Sequence, residues 1–262
     1  MIVAARIFVI GGVTSFRGLW YWLTPWIYVP TMLIAPIFQI LLFAYIGRSA
    51  GLESDKFYLI GNALQYASIP CLFAMAQMIG GERYQNTLSA ILVSPAPRIP
   101  LFFGRSLPVV LNGAFVAAFS LCVGALILNV HLPASSFAPL ALVILVAAFS
   151  CTGLGLVNAA ASLRIRENAV LSNVIFGFLL IFTGANVPLD DLPDWMSTAA
   201  QGMPFTHAIE AARQLADGAS LADVRGLIGA ELLVGAIYGI AGYALLRWFE
   251  ILSRRNASLE RS

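Results

Sequence analysis

Few side chains in this sequence could perform acid-base, nucleophilic or metal chemistry, and their spacing closes most of those routes. The two histidines, His131 and His207, and the three cysteines, Cys71, Cys122 and Cys151, lie far apart. Neither the close-spaced ligands of a zinc site nor a disulfide framework can be built from them, and the cysteines read as small core residues. No H-E-x-x-H or G-x-S-x-G run occurs. A phosphate-holding loop needs Gly-Lys-[Ser/Thr], yet the sole lysine, Lys56, follows Asp55. Any nucleotide hydrolysis that drives this chain therefore belongs to another subunit, and the chain needs no cofactor of its own.

The segment Gly80–Arg98 offers no such chemistry: its pattern suits either a helix that receives mechanical force or a surface helix that rests on the headgroups. Tyr84, Leu88, Ile91 and Leu92 recur at helical spacing, with Arg83, Gln85, Asn86 and Ser89 as polar positions around them. The pattern predicts a short amphipathic helix, with Pro95, Pro97 and Pro100 forming a stiff boundary before the next apolar run.

The elements that would position this segment follow from composition. Of 262 residues, 60% are hydrophobic and 11% charged, and mean hydropathy is +0.85, against roughly 25% charged residues in a soluble domain. This is a membrane protein; a nucleic-acid binder or a disordered chain would need far more charge. A bilayer-crossing helix needs about 20 apolar residues. Six windows qualify, at approximately 25–46, 58–79, 107–130, 137–163, 170–187 and 227–248. Thr24 and Pro25 suit the start of the first, amid the interfacial aromatics Trp20, Tyr21, Trp22 and Trp26. Ser220–Asp223 resembles a capping box ahead of the last. Gly235 and Gly239 have the G-x-x-x-G spacing of close helix contact. Residues 1–24, interrupted by Arg6 and lacking a cleavage pattern, read as an amphipathic helix lying in the interface, and 249–262 as a tail.

With six spans both termini share a side, and eleven of the fifteen Lys and Arg residues fall there. The positive-inside bias makes that side the cytoplasm, so the chain is expected in a cell membrane with both ends inside. Within the windows the ionisable groups are Glu231 and Arg247. Glu231 reads as a carboxylate reaching outer water or a neighbouring helix; a proton-coupled carrier would need more such groups. Residues 188–226 are too polar and too broken by Pro188, Pro193, Pro204 and Gly218 to cross. Even so, Leu192, Trp195 and Met196, then Phe205, Ile209, Ala212 and Leu215, make short apolar helical faces.

Two runs carry a family resemblance. Glu82-Arg83, Thr87-Leu88, Leu92, Ser94-Pro95 and Gly104-Arg105 resemble the E-R-x-x-x-T-L-x-x-x-L-x-S-P segment of type-2 ABC exporter permeases, with Asn86 where that family usually has Gly. Asn186-Val187-Pro188, Leu192-Pro193-Asp194-Trp195, Pro204-Phe205-Thr206 and Ile209-Glu210-Ala211-Ala212-Arg213 are similar to the family's outer segment.

The resemblance implies an all-α polytopic protein with six transmembrane helices, a cytoplasmic coupling helix at about 82–95 and outer re-entrant helices at about 188–226. It implies two separate ABC ATP-binding subunits, which hold ATP and Mg, and a second permease as homodimer or heterodimer in a bacterial membrane. The coupling contact would use Glu82, Arg83, Tyr84, Thr87, Leu88, Leu92 and Pro95. A pathway for an amphiphilic or hydrophobic compound would be lined by Phe38, Gln39, Tyr45, Asn62, Gln65, Tyr66, Phe73, Asn173, Phe176 and Phe182. Pro188, Trp195, Pro204, Phe205, Glu210 and Arg213 would form the outer gate. The loops lean toward the drug- and antibiotic-export branch; export of a polysaccharide or lipid-linked glycan, or a scaffold that moves nothing, are the alternatives.

Overall fold

A computed structural model describes residues 10–14, 16, 24–77, 98–162 and 168–256. The coupling residues Glu82, Arg83, Tyr84, Thr87, Leu88, Leu92 and Pro95 lie outside the described residues. So does most of the interfacial segment 1–24, of which 10–14 and 16 are helical. The long helices are α1 (Pro25–Ala50), α2 (Asp55–Gln77), α3 (Arg98–Leu128), α4 (Phe137–Ser162) and α8 (Arg225–Asn256). Between α4 and α8 come α5 (Asn168–Phe182), α6 (Asp194–Ala200) and α7 (Thr206–Ala216). Among the described residues there is no strand.

Five helices, α1 to α4 and α8, are long and apolar enough to cross a membrane. The fifth window does not match the expected 170–187. Its described helix has 15 residues, about 22 Å at 1.5 Å per residue against a hydrocarbon core of about 30 Å. It ends at Phe182 because the chain turns at once, with Gly184 at φ 73°. Pro100 precedes the third span, Phe103–Leu128, as expected, within the described helical residues that lead into it.

The helices α2 and α4 form the buried centre, and α1, α3 and α8 present their large apolar side chains outward. Helices α4 and α8 run parallel with their backbones nearly touching. A Cβ added to Gly235 would stand 2.7 Å from the Ser150 Cα, and one added to Gly242 2.7 Å from the Leu156 Cβ. The segment between two parallel neighbours must return along the bundle. Helix α5 makes that return: Ser172 near its start accepts from Asn158 of α4 at 2.7 Å, and Phe182 at its end meets Trp195 of α6. The alternation brings the turn at 51–54, the turn at 129–136 and the α6–α7 segment to one end. Cys71 and Cys151 are buried as expected, whereas Cys122 is exposed on α3.

Two helices are creased. Val29–Ile34 of α1 and Pro70–Ala74 of α2 are π-turns, in which the Ala35 N–H reaches back to the Pro30 carbonyl. In that register the Thr31 carbonyl would await an N–H from residue 36, which is proline and has none. The Tyr66 hydroxyl of α2 donates to the Thr31 carbonyl at 3.1 Å instead. The crease of α1 is thus bonded to α2 at Tyr66, one turn ahead of that helix's own crease.

Candidate functional site

Three amides from two helices converge where α1 faces α2. The Gln39 Nε2 of α1 donates to Asn62 Oδ1 at 2.9 Å and to Gln65 Oε1 at 3.0 Å on α2. Asn62, wholly buried, donates onward to the Tyr58 carbonyl and to Asn186 Oδ1, each at 2.9 Å. Asn186 in turn donates to the Leu180 carbonyl at 3.3 Å. Side-chain amides buried in an apolar bundle are costly unless paired, so this chain of bonds fixes the register of α1, α2 and the turn after α5. The turn can approach because Gly61 lacks a side chain: a Cβ there would stand 2.3 Å from the Ala185 carbonyl oxygen.

The structure thus brings together Gln39, Asn62 and Gln65, three of the residues expected along a pathway. Tyr66 belongs to the same neighbourhood and meets Phe176 of α5 edge-on at 6.5 Å. Phe73 is half-buried against the core. Phe38 and Tyr45 do not join this group. They lie on the exposed face of α1, 68% and 57% exposed, beside Leu41, Leu42 and Ile46. Asn173 is also exposed and bonds only its own helix, at the Ala169 carbonyl. The sequence reading missed Asn186 as a bridge; an Asn directly ahead of Val-Pro, at the end of an apolar run, was the available signal.

Of the expected gate residues, Phe205 is fully buried and Pro204 buried, while Trp195 is 66% exposed and only its edge contact with Phe182, 6.1 Å between centroids, ties it down. Pro188 precedes a short 3-10 turn, Leu189–Asp191. Helix α7 is strongly amphipathic: Ile209, Ala212 and Leu215 are buried with Phe205, as their spacing predicts. Its half-buried face carries Glu210, which accepts from Gln214 at 2.9 Å, and Arg213, whose Nη2 donates to the carbonyls of Phe57 and Ala185, both at 3.3 Å. Lys56 Nζ donates to the Ala216 carbonyl and to Asp217 Oδ1, each at 2.6 Å. Helix α7 is therefore tied to α2 and to the turn after α5.

The arrangement has polar recognition groups, a short amphipathic helix packed over one end of the bundle, and no cluster of His, Cys, Asp and Glu suited to a metal among the described residues. Residues 14–216 match the family model for the ABC-2 type transporter. The chain belongs to the ABC-2 type transporter family. An ABC-2 type chain is a transmembrane permease component without a catalytic centre of its own, which agrees with the lack of a phosphate-holding loop in the sequence. This ABC-2 type chain is also similar to the probable multidrug ABC transporter permease YbhR of Escherichia coli strain K12. The two are 27% identical over 192 residues, 68% of this chain and 51% of the relative. The same protein from Escherichia coli O157:H7 matches equally. The chain spans about half the length of these relatives.

Proposed function

We propose that this chain is the membrane half of an ATP-driven exporter that moves an amphiphilic or hydrophobic compound outward from the cytoplasm or inner leaflet. The observation that carries the reading is the family match over 14–216, a range that includes the Glu82–Pro95 run. The similarity to a probable multidrug permease supports a drug-like cargo.

In this reading two copies, or this chain and a second permease, enclose the pathway. Two ABC ATP-binding subunits dock beneath, against Glu82, Arg83, Tyr84, Thr87, Leu88, Leu92 and Pro95. Both termini are cytoplasmic, and α5 serves as the fifth of six crossings because it makes the return between the parallel α4 and α8. The α7 end of the bundle is then the outer end, where α6 and α7 form re-entrant gate helices. Their backbone groups must be covered by protein there, since an unsatisfied amide in lipid costs several kcal/mol. Pro188, Trp195, Pro204, Phe205, Glu210 and Arg213 belong to that gate, and Gln39, Asn62, Gln65, Tyr66, Phe73, Phe176 and Phe182 border the route to it.

Reconstitution of the chain with its ATP-binding subunit in liposomes tests this. Glu82→Ala and Leu88→Asp are expected to abolish transport while the ATP-binding subunit still hydrolyses ATP. Full ATP-dependent transport by both variants would overturn the reading.

A further inference from the structure

The buried carboxylate of Glu231 on α8 has no part in the arrangement above, and it lies beyond the matched range 14–216. It is wholly buried. The Phe205 N–H donates to its Oε1 at 2.8 Å and the Ala208 N–H to its Oε2 at 3.2 Å. These donors open α7, whose first-turn N–H groups have no partner within the helix. A local Ser, Thr, Asp or Asn would ordinarily accept from them. Here the capping position is Phe205, which has no accepting side chain and stands at φ 75°. A bulky residue there is strained and persists only where its surroundings hold it. Glu231, more than twenty residues away, supplies both the missing acceptors and the hold.

The two ends of α7 are held by different elements, α8 at one end and α2 with the turn after α5 at the other. At the Phe205 end, the two oxygens of one buried carboxyl side chain each accept from a backbone N–H that would otherwise be left without a partner. At the other end, Arg213 makes two bonds of 3.3 Å, near the long limit, and Lys56 pairs with an Asp217 side chain that is 71% exposed. Exposed ion pairs contribute little. One turn along α8 from Glu231, Gly235 sits against Ser150 of α4 with backbones nearly touching, so whatever Glu231 holds is fixed to the α4–α8 pair.

We propose that Glu231 is the positioning residue of the outer segment: it pins the Phe205 end of α7 to α8. Movement of α7 then turns about that point and parts the helix from α2 at the Lys56 and Arg213 end. This rests on the reading of α7 as a gate helix, but its test needs neither ATP nor cargo.

The full chain, carrying Cys122→Ser, is placed in membrane vesicles with one cysteine reporter at a time, Ala208→Cys, Ala216→Cys or Ala63→Cys, all buried in the parent. Labelling by a membrane-impermeant maleimide is followed. Glu231→Gln keeps one acceptor oxygen and is expected to raise labelling at residue 208 about tenfold, with Glu231→Ala raising it further, while residues 63 and 216 change little. Lys56→Ala is expected to do the reverse, exposing 216 and sparing 208. The proposal is overturned if neither Glu231 variant changes residue 208, or if residues 208, 216 and 63 rise together, which is general loosening. The labelling pattern as expected together with absence of ATP-dependent transport in the parent chain would instead count against the exporter reading alone.

Discussion

The guanidinium of Arg213 lies over the ring of Phe57, its Cζ 3.5 Å from the ring centroid, while its Nη2 reaches the carbonyls of Phe57 and Ala185. One side chain thus joins α7, the start of α2 and the turn after α5. A charged donor to two carbonyls plus a cation–π contact is worth about 2–4 kcal/mol when removed. Arg213→Ala is expected to lower thermal stability in detergent by that amount. Arg213→Lys, which keeps the charge and loses the planar fork, should lose about half of it. Equal stability of both variants and the parent would refute this role.

The amide cluster predicts coupling between distant positions. Interhelical hydrogen bonds in membranes average about 0.6 kcal/mol, with a maximum near 1.7. Asn62→Ala removes one such bond, from Gln39, together with a bond to Asn186 in the turn after α5 and one within α2 to the Tyr58 carbonyl, and is expected to cost about 1–3 kcal/mol. The Asn62→Ala, Asn186→Ala double variant should cost less than the sum of the singles by at least ~0.5 kcal/mol. Unfolding titrations of the four proteins in the cycle measure the difference.

Gly235 and Gly239 share a motif spacing but not an environment. A Cβ at Gly235 would press on the Ser150 backbone, whereas one at Gly239 meets nothing within 4 Å. Gly235→Ala is expected to destabilise by about 1–3 kcal/mol through forced separation of α4 and α8. Gly239→Ala should be neutral or slightly stabilising, since alanine favours helix. Comparing the amounts of folded protein in membranes separates the two; identical losses would contradict the packing described.

Asp223 accepts from both the hydroxyl and the N–H of Ser220, at 2.7 and 2.9 Å, and these bonds hold its carboxyl below the ordinary value of 3.8. Because the folded group is the stronger acid, its contribution is present at neutral pH and is lost as pH falls through the depressed value. Hydrogen exchange at the Ser220 amide is expected to speed up, relative to its neighbours, as acid protonates Asp223. Asp223→Asn should abolish that extra dependence.

Local pattern made some of this visible and could not reach the rest. The long apolar runs announce α1 to α4 and α8, because length and hydropathy need no partner to be read. That Gln39, Asn62 and Gln65 need partners was legible, since an amide amid apolar residues must find another polar group. Phe38, Tyr45 and Asn173 satisfy the same rule of type, yet helix rotation turns them outward, and rotation depends on neighbours that a single segment does not specify. The end of α5 was misplaced by a few residues because Gly184 and Asn186 were absorbed into an apolar average. Ser220–Asp223 forms the reciprocal half of a capping box, but α8 starts only at Arg225. Glu231 was read as reaching water or a neighbouring helix. It does reach a neighbouring helix, α7, through the backbone N–H groups of Phe205 and Ala208, which no side-chain spacing encodes.

The creases at Val29–Ile34 and Pro70–Ala74 leave the long regular stretch of α1 and of α2 on one side only of each break. On the side toward α7, Gln39, Asn62 and Gln65 bolt α1 to α2. Within the creases, π-turns and prolines interrupt the regular ladder of each helix. Bending is therefore easiest at those breaks, away from the stretch where the amides lock the register of α1 against α2.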